Sequence, residues 1–224
     1  MTLIDISDTV IVFDLDDTLY AEIDYHQSGI NEIIVSLGLI YGRSCEDELR
    51  KYTFKAGESN FLGEMVSVLN LPIAVKESLL WIYRLHSPKI ALSESVANTL
   101  KNLEISCKKV VILTDGRSIS QRRKIESLGL SHLPIYISEE YESEKPEQLR
   151  FIKIMKDFPS LAYVYVGDNP NKDFLAPNAL NWKTVGLTGN INRNIHSQDC
   201  INLAVDYHPN VWIESIHEIV DVLF

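Results

Sequence analysis

The sequence of 224 residues is poor in cysteine: Cys45, Cys107 and Cys200 are its only three, and no two of them form a CxxC pair. Three scattered cysteines predict neither a disulfide framework nor a structural zinc site. The sequence also lacks a Walker A loop and the GxGxxG, GxSxG and HExxH motifs. ATP or dinucleotide binding, a serine nucleophile elbow and a zinc-protease site therefore have no support.

Positive charge is in deficit, with 21 Lys and Arg against 31 Asp and Glu and a net charge of −10 at pH 7. Such a chain repels nucleic acid, so we expect no nucleic-acid partner, and any bound phosphate needs a local site with a cation. No apolar run approaches the roughly 20 residues that span a bilayer, and the N-terminus lacks the basic segment of a secretory signal. We therefore expect a cytoplasmic protein without a membrane partner.

Short apolar runs recur between turn residues and are continuous rather than alternating, which is typical of strands buried on both faces of a parallel sheet. The runs are Val10–Phe13, Val110–Leu113, Ile135–Ile137, Ala162–Val166 and Thr184–Leu187. Helical patterns separate most of these runs, and a last helix is predicted over Trp212–Leu223. This alternation predicts a doubly wound α/β fold with a Rossmann-like parallel sheet.

One long interval after the first strand contains helical patterns only. Its predicted helices are Ile30–Leu37, Cys45–Phe54, Phe61–Leu69 and Pro72–His86. We expect residues 1–19 and 93–224 to form an α/β catalytic core, with residues 20–92 inserted as a small helical cap. Because the insert follows the carboxyl end of a strand, where such folds bind ligands, it is predicted to act as a lid. A second packing layer without a gating role is the alternative.

The first predicted strand ends in Asp14-Leu15-Asp16-Asp17-Thr18. Two carboxylates two residues apart can serve separate roles at a strand end, one as a nucleophile and the other as a proton carrier. Clustered carboxylates also provide the oxygen ligands that Mg²⁺ prefers. Taken alone, the pattern equally describes a solvated acidic turn.

Three further segments place polar residues after a strand or before a helix. They are Thr114-Asp115-Gly116, Glu144-Lys145-Pro146 and Gly167-Asp168-Asn169-Pro170-Asn171-Lys172-Asp173. A hydroxyl with flexible backbone N–H groups can bind an anion, and two acids on a turn can bind a cation. Lys145 is predicted at the N-cap of a helix that contains Pro146 in its first turn, an unfavourable place for lysine that suggests a functional role. Because the carboxyl ends of parallel strands meet at one edge, the four segments together predict one site.

In order and content the four segments resemble the motifs of the haloacid dehalogenase (HAD) superfamily of phosphohydrolases, over about Val10 to Leu187. The helical insert looks like the family's cap of the first type. The resemblance implies a magnesium-dependent phosphatase that hydrolyses a small-molecule phosphate monoester through an aspartyl-phosphate intermediate. It makes Asp14 the nucleophile, and Asp16 the general acid and then the base that activates water. Family dehalogenases lack an acid at the position of Asp16.

The resemblance also implies ligand sets. Phosphate binding is assigned to Thr114, Asp115, Gly116 and Lys145. Metal binding is assigned to Asp14, Asp16 (through its backbone carbonyl), Asp168 and Asp173. Lys145 would offset the charge of the nucleophile and the phosphoryl group, and Asp173 would act on the metal directly or through water and Lys145. Asp17 is expected to be structural.

Additional substrate contacts are expected from Tyr20, His26, Arg117 and Asn169. His26 is equally open to interpretation as a surface histidine of the cap, and Arg117 and Lys172 as surface charge. A phosphotransferase or phosphomutase with the same intermediate stays open, as does a non-enzymatic phosphate-binding regulatory module. The expected partner is a small phosphorylated metabolite such as a sugar phosphate or a nucleotide, and the oligomeric state is not predicted.

Overall fold

The computed structural model describes residues 5–41, 49, 60–189, 195 and 198–223. Within these residues, six parallel strands form one sheet in the order β3-β2-β1-β4-β5-β6. The strands are β1 (Thr9–Phe13), β2 (Lys109–Thr114), β3 (Ile135–Ile137), β4 (Ala162–Gly167), β5 (Lys183–Leu187) and β6 (Val211–Ile213). The order places β1 between β2 and β4, so the three strands that end in the sequence motifs are direct neighbours.

Among the described residues, α-helices lie between all consecutive strands except β5 and β6. The α-helices are α1 (Glu22–Tyr41), α2 (Phe61–Val68), α3 (Val75–Leu85), α4 (Glu94–Ser106), α5 (Ser118–Ser127), α6 (Ser138–Tyr141), α7 (Leu149–Asp157), α8 (Leu175–Ala179) and α9 (Ile219–Leu223). None of the helices in the described ranges has the length and apolar character needed to cross a membrane.

Both faces of the sheet are buried, as the continuous apolar runs predict. On β1, Ile11 and Phe13 belong to one apolar cluster, whereas Val10 and Val12 belong to another. Successive side chains of a strand point to opposite faces, so the two clusters lie on the two sides of the sheet. This arrangement confirms the doubly wound α/β fold.

Three described helices, α1 to α3, lie between β1 and α4. Helix α3 contacts α1 and α2, and it also contacts α5, which follows β2. The predicted helix over Cys45–Phe54 lies outside the described residues except for Leu49, which is helical and buried. The boundary of the cap at residues 20–92 stays a prediction.

Two local predictions were wrong. The last segment is not one helix: Val211–Ile213 pairs with β5 as a sixth strand, and a 3-10 turn over Ile216–Glu218 precedes α9. Lys145 is not an N-cap, because α7 begins only at Leu149 with Gln148 at its N-cap. A turn closed by the hydrogen bond from Glu147 N to Glu144 O, 2.8 Å, holds the backbone around Lys145 instead.

Candidate active site

The carboxyl ends of β1, β2 and β4 surround a cavity of about 240 Å³. Its described lining residues are Asp14, Asp16, Glu22, Thr114, Asp115, Gly116, Glu144, Lys145, Asp168, Asn169 and Lys172. Asp14 follows β1 directly, and its backbone N–H donates to the carbonyl oxygen of Val166 on β4, 2.9 Å away. The sheet therefore fixes the position from which the first acid projects.

Lys145 is a buried lysine that joins two carboxylates. Its Nζ atom lies 2.7 Å from Asp14 Oδ1 and 2.6 Å from Asp173 Oδ1. The hydroxyl of Tyr165 is 3.1 Å from the same nitrogen. Burial alone would lower the pKa of Lys145, but the charges of Asp14 and Asp173 raise it well above its ordinary value. The lysine is therefore held as a cation beside Asp14.

Asp173 lies behind this contact and has no solvent exposure. Its Oδ1 atom accepts hydrogen bonds from Lys145 and from the Tyr165 hydroxyl, at 2.6 and 2.9 Å. Its Oδ2 atom accepts from the backbone N–H of Asn169 at 2.7 Å. Protein donors thus engage both oxygens, so in this geometry Asp173 orients Lys145.

Three carboxylates, those of Asp14, Asp168 and Asp173, each bring one oxygen within 4.8 Å of the others. The Oδ2 atom of Asp168 is buried and has no hydrogen-bond partner among the described residues. Burial, together with the charge of Asp173, raises the pKa of Asp168 to about 9. Burial likewise raises the pKa of Asp14 to about 7, although Lys145 opposes the shift. One lysine does not offset three buried carboxylates, so this oxygen-rich cluster fits a hard divalent cation such as Mg²⁺.

The side chain of Asp16 has separate partners. Lys124 on α5 places its Nζ atom 2.8 and 2.9 Å from the two carboxylate oxygens. Gln121, one turn earlier on α5, donates to Asp16 Oδ2 at 2.9 Å, and the Tyr20 hydroxyl donates to Oδ1. Burial alone would raise the pKa of Asp16, but the ion pair with Lys124 holds it below its ordinary value.

The predicted phosphate-binding segment after β2 is organised by hydrogen bonds. Thr114 lines the cavity, and its hydroxyl oxygen accepts a hydrogen bond from Gln121 Nε2 at 3.1 Å. The carboxylate of Asp115 accepts from the backbone N–H of Lys145, at 3.1 and 3.2 Å, and from Arg150. Gly116 has a φ of +136°, which only glycine adopts readily, and its N–H donates to Ser138 Oγ at 2.9 Å.

The four predicted substrate contacts are placed differently. Asn169 lines the cavity, whereas Tyr20 does not line it and donates its hydroxyl hydrogen bond to Asp16. His26 does not line this cavity: its Nδ1 atom lies 2.8 Å from the Tyr83 hydroxyl, and burial lowers its pKa to about 4, so the ring is neutral at pH 7. Arg117 is largely exposed and pairs with Glu139, 2.6 Å away.

Comparison with known proteins identifies the family. A sequence profile described as Haloacid dehalogenase-like hydrolase matches residues 11–187. The chain belongs to this family. It is therefore an enzyme of the hydrolase class, and the resemblance inferred from the four motifs is confirmed.

Relatives of this haloacid dehalogenase-like hydrolase cover nearly the whole chain. Glyceraldehyde 3-phosphate phosphatase of Methanocaldococcus jannaschii is 26% identical over 227 residues, covering 95% of this chain and 96% of that protein. Among solved structures, the HAD-hydrolase YfnB of Bacillus subtilis bound to magnesium has a TM-score of 0.60 at 15% identity, covering 97% and 99% of the two chains. A predicted phosphoglycolate phosphatase of Haemophilus somnus has a TM-score of 0.62 at 16% identity, covering 95% and 96%. The two structures share the fold.

Four polar residues of this hydrolase that sequence reasoning missed are Gln121, Lys124, Arg150 and Tyr165. All four are buried. Gln121 and Lys124 are three residues apart on α5 and share its buried side with Ile125. A glutamine and a lysine at the helical spacing of a core-facing stripe are unusual, and that pattern could have drawn attention to them.

Proposed function

We propose that this protein is a magnesium-dependent phosphatase that hydrolyses a small phosphate monoester through an aspartyl-phosphate on Asp14. The observation that carries the proposal is the contact of the buried Lys145 Nζ with Asp14 Oδ1 at 2.7 Å, beside the unpartnered oxygen of Asp168. A carboxylate that attacks a phosphate dianion needs local positive charge, and Lys145 supplies it.

Magnesium, held by Asp14, Asp168 and the backbone carbonyl of Asp16, would add the second positive charge that offsets repulsion between nucleophile and phosphate. In the first half of the reaction, an Asp14 oxygen bonds to phosphorus while the bond from phosphorus to the leaving oxygen breaks. Asp16 is an ion-paired carboxylate in this structure, so it first takes up a proton, which the negative charge of the bound phosphate favours, and then donates that proton to the leaving oxygen. In the second half, Asp16 takes a proton from water as the water oxygen bonds to phosphorus and the bond from phosphorus to the Asp14 oxygen breaks, which releases inorganic phosphate and restores the Asp14 carboxylate.

Thr114 and Lys145 would hold the phosphoryl oxygens, and Asp173 would keep Lys145 directed at them. The described cavity of about 240 Å³ lies below the roughly 300–1,000 Å³ of sites for drug-sized ligands, which favours a small substrate. The activity of the archaeal relative on glyceraldehyde 3-phosphate supports a short phosphorylated metabolite. Residues 20–92 would act as the cap that closes over it.

The test is phosphate release from an aryl phosphate and from a panel that includes glyceraldehyde 3-phosphate, with and without Mg²⁺. Wild-type protein should turn over only with metal, and Asp14→Asn should be inactive while it remains folded. The matched control is Asp8→Asn, which changes a partly exposed aspartate bonded to Lys108 outside the cavity and should keep full activity.

Two outcomes would contradict the proposal. An Asp14→Asn variant with wild-type rate would remove the nucleophile assignment. Release of the leaving alcohol only when a second hydroxyl compound is added, with the phosphoryl group recovered as an ester of that compound and not as inorganic phosphate, would instead assign a phosphotransferase with the same intermediate.

A further inference from the structure

We infer that Lys124, which lies outside the four sequence motifs, is a positioning residue. It holds the Asp16 carboxylate in the orientation from which Asp16 donates its proton. The inference rests on the proposed function, because it concerns the acid of that reaction. The side chain of Lys124 is 5% exposed and does not line the cavity. It therefore reaches the substrate only through the residue that it holds.

The contact with Asp16 is made at both carboxylate oxygens, at 2.8 and 2.9 Å. Two such contacts fix the rotation of the carboxylate as well as its distance. Tyr25 covers the other side of the lysine, with Nζ 4.2 Å from the centre of its ring, and Glu22 lies 4.0 Å away. Each of the two acids of the first motif thus has its own buried lysine, Lys145 for Asp14 and Lys124 for Asp16.

Gln121 extends this arrangement to the phosphate-binding segment. Its Nε2 atom lies 2.9 Å from Asp16 Oδ2 and 3.1 Å from Thr114 Oγ1. Helix α5 therefore links the acid after β1 to the hydroxyl at the end of β2. One rigid helix therefore fixes the distance between Asp16, the proton donor, and the Thr114 hydroxyl, which binds the phosphoryl group. A fixed distance keeps the proton donor close to the leaving oxygen.

A lysine that only stabilised the fold would slow all substrates alike when changed. A positioning lysine affects only the substrates that need the proton. For Lys124→Met we expect about a 10²-fold loss of kcat on an alkyl phosphate, in line with the effect of a misplacement of about 1 Å. On 4-nitrophenyl phosphate, whose leaving group needs no proton, the loss should be within a few-fold. KM and inhibition by inorganic phosphate should stay unchanged.

Two more variants sharpen the test. Lys124→Arg keeps the charge and should recover part of the alkyl phosphate rate. Lys108→Met removes a lysine that pairs with Asp8 outside the cavity and should leave both rates unchanged.

The decisive comparison is the double variant Asp16→Asn/Lys124→Met against Asp16→Asn alone. Asparagine at position 16 needs no counter-charge, so the double variant should fold even if Lys124→Met alone does not, and the comparison can still be made. If Lys124 acts through Asp16, adding Lys124→Met should change the rate less than two-fold. A further large loss, or an equal loss on both esters for Lys124→Met, overturns the inference. Failure of the proposed function is distinct, because then the wild-type protein itself releases no phosphate.

Discussion

Asp173 Oδ1 lies 2.6 Å from Lys145 Nζ, and neither side chain has appreciable contact with solvent. Lys145 also contacts Asp14. One ammonium group is therefore shared by Asp14, the proposed nucleophile, and by Asp173, which does not line the cavity. The pairing gives Lys145 a direction as well as a charge. A lysine has a long, flexible side chain, and the second carboxylate fixes it.

Removing this ammonium group should affect binding and catalysis together. We expect Lys145→Ala to lower kcat by at least 10²-fold, as for loss of one transition-state donor, and to weaken inhibition by inorganic phosphate. The control is Lys172→Ala, which changes a half-exposed lysine of the same cavity and should have a smaller effect on both. Unchanged phosphate inhibition in Lys145→Ala would contradict the phosphate-binding role.

Two glycines offer a matched pair, because Gly167 on β4 is the register partner of Gly186 on β5. A Cβ at Gly167 would lie 2.5 Å from Asp173 Oδ2, and one at Gly186 would lie 2.4 Å from the Trp212 ring. Both alanine variants should lose about 1–3 kcal/mol of stability through overpacking. Only Gly167→Ala should also lose activity, since it displaces the carboxylate that directs Lys145. Equal specific activities of the two folded variants would argue against that role.

Asp16 should matter in proportion to the need for a proton. We expect Asp16→Asn to lose about 10²–10⁴-fold in kcat on an alkyl phosphate and much less on an activated aryl phosphate. Asp17→Asn is the control: the Asp17 carboxylate accepts from the backbone N–H groups of Glu22 and Ile195. Any loss in that variant should not depend on the leaving group. Equal losses of Asp16→Asn on both esters would exclude the acid role.

Stability without metal should fall as the pH rises. The pKa values of Asp14, Glu22 and Asp168 are raised, chiefly by burial, to about 7, 8 and 9. Between about pH 4, where these acids ionise in the unfolded chain, and about pH 9, the folded state holds more protons. Its free energy of unfolding therefore decreases through this range. The lowered pKa of Asp16 has the opposite sign, but its contribution is complete above about pH 4. The lowered pKa values of His26 and His86 also have the opposite sign, below about pH 6.5, so two groups oppose three and the decrease is shallower there.

Thermal unfolding at about pH 5, 7 and 9, in EDTA and in Mg²⁺, measures this effect. Tm in EDTA should fall with pH, and Mg²⁺ should raise Tm most at the highest pH, because protons then compete least for the carboxylates. Asp168→Asn should remove most of the magnesium effect. A Tm in EDTA that does not change with pH would contradict the assignment of buried, protonated acids.

Much of the site follows from the sequence because parallel strands end at a common edge. Asp14, Thr114 and Asp168 each come at the end of a recognisable apolar run, so their proximity could be predicted from the sequence. Lys145 was found for a mistaken reason, since it is held in a turn and not at an N-cap. The roles given to these residues remain predictions.

Other contacts depend on packing that no local pattern expresses. Gln121 and Lys124 reach Asp16 across more than a hundred residues of chain, and Tyr165 reaches Lys145 from within a strand whose spacing indicates only burial. The strand β6 was missed because three residues, Val211–Ile213, carry too little periodicity to distinguish an edge strand from the start of a helix.

The central place of β1 has a consequence for how the molecule fluctuates. All five of its residues are fully buried, and β2 and β4 bind it on both sides. Amide hydrogens in such a strand exchange with solvent only when the whole fold opens, whereas helices near the surface open far more often. Asp14 therefore follows directly on β1, the strand least exposed to local opening, and local openings elsewhere leave that residue in place.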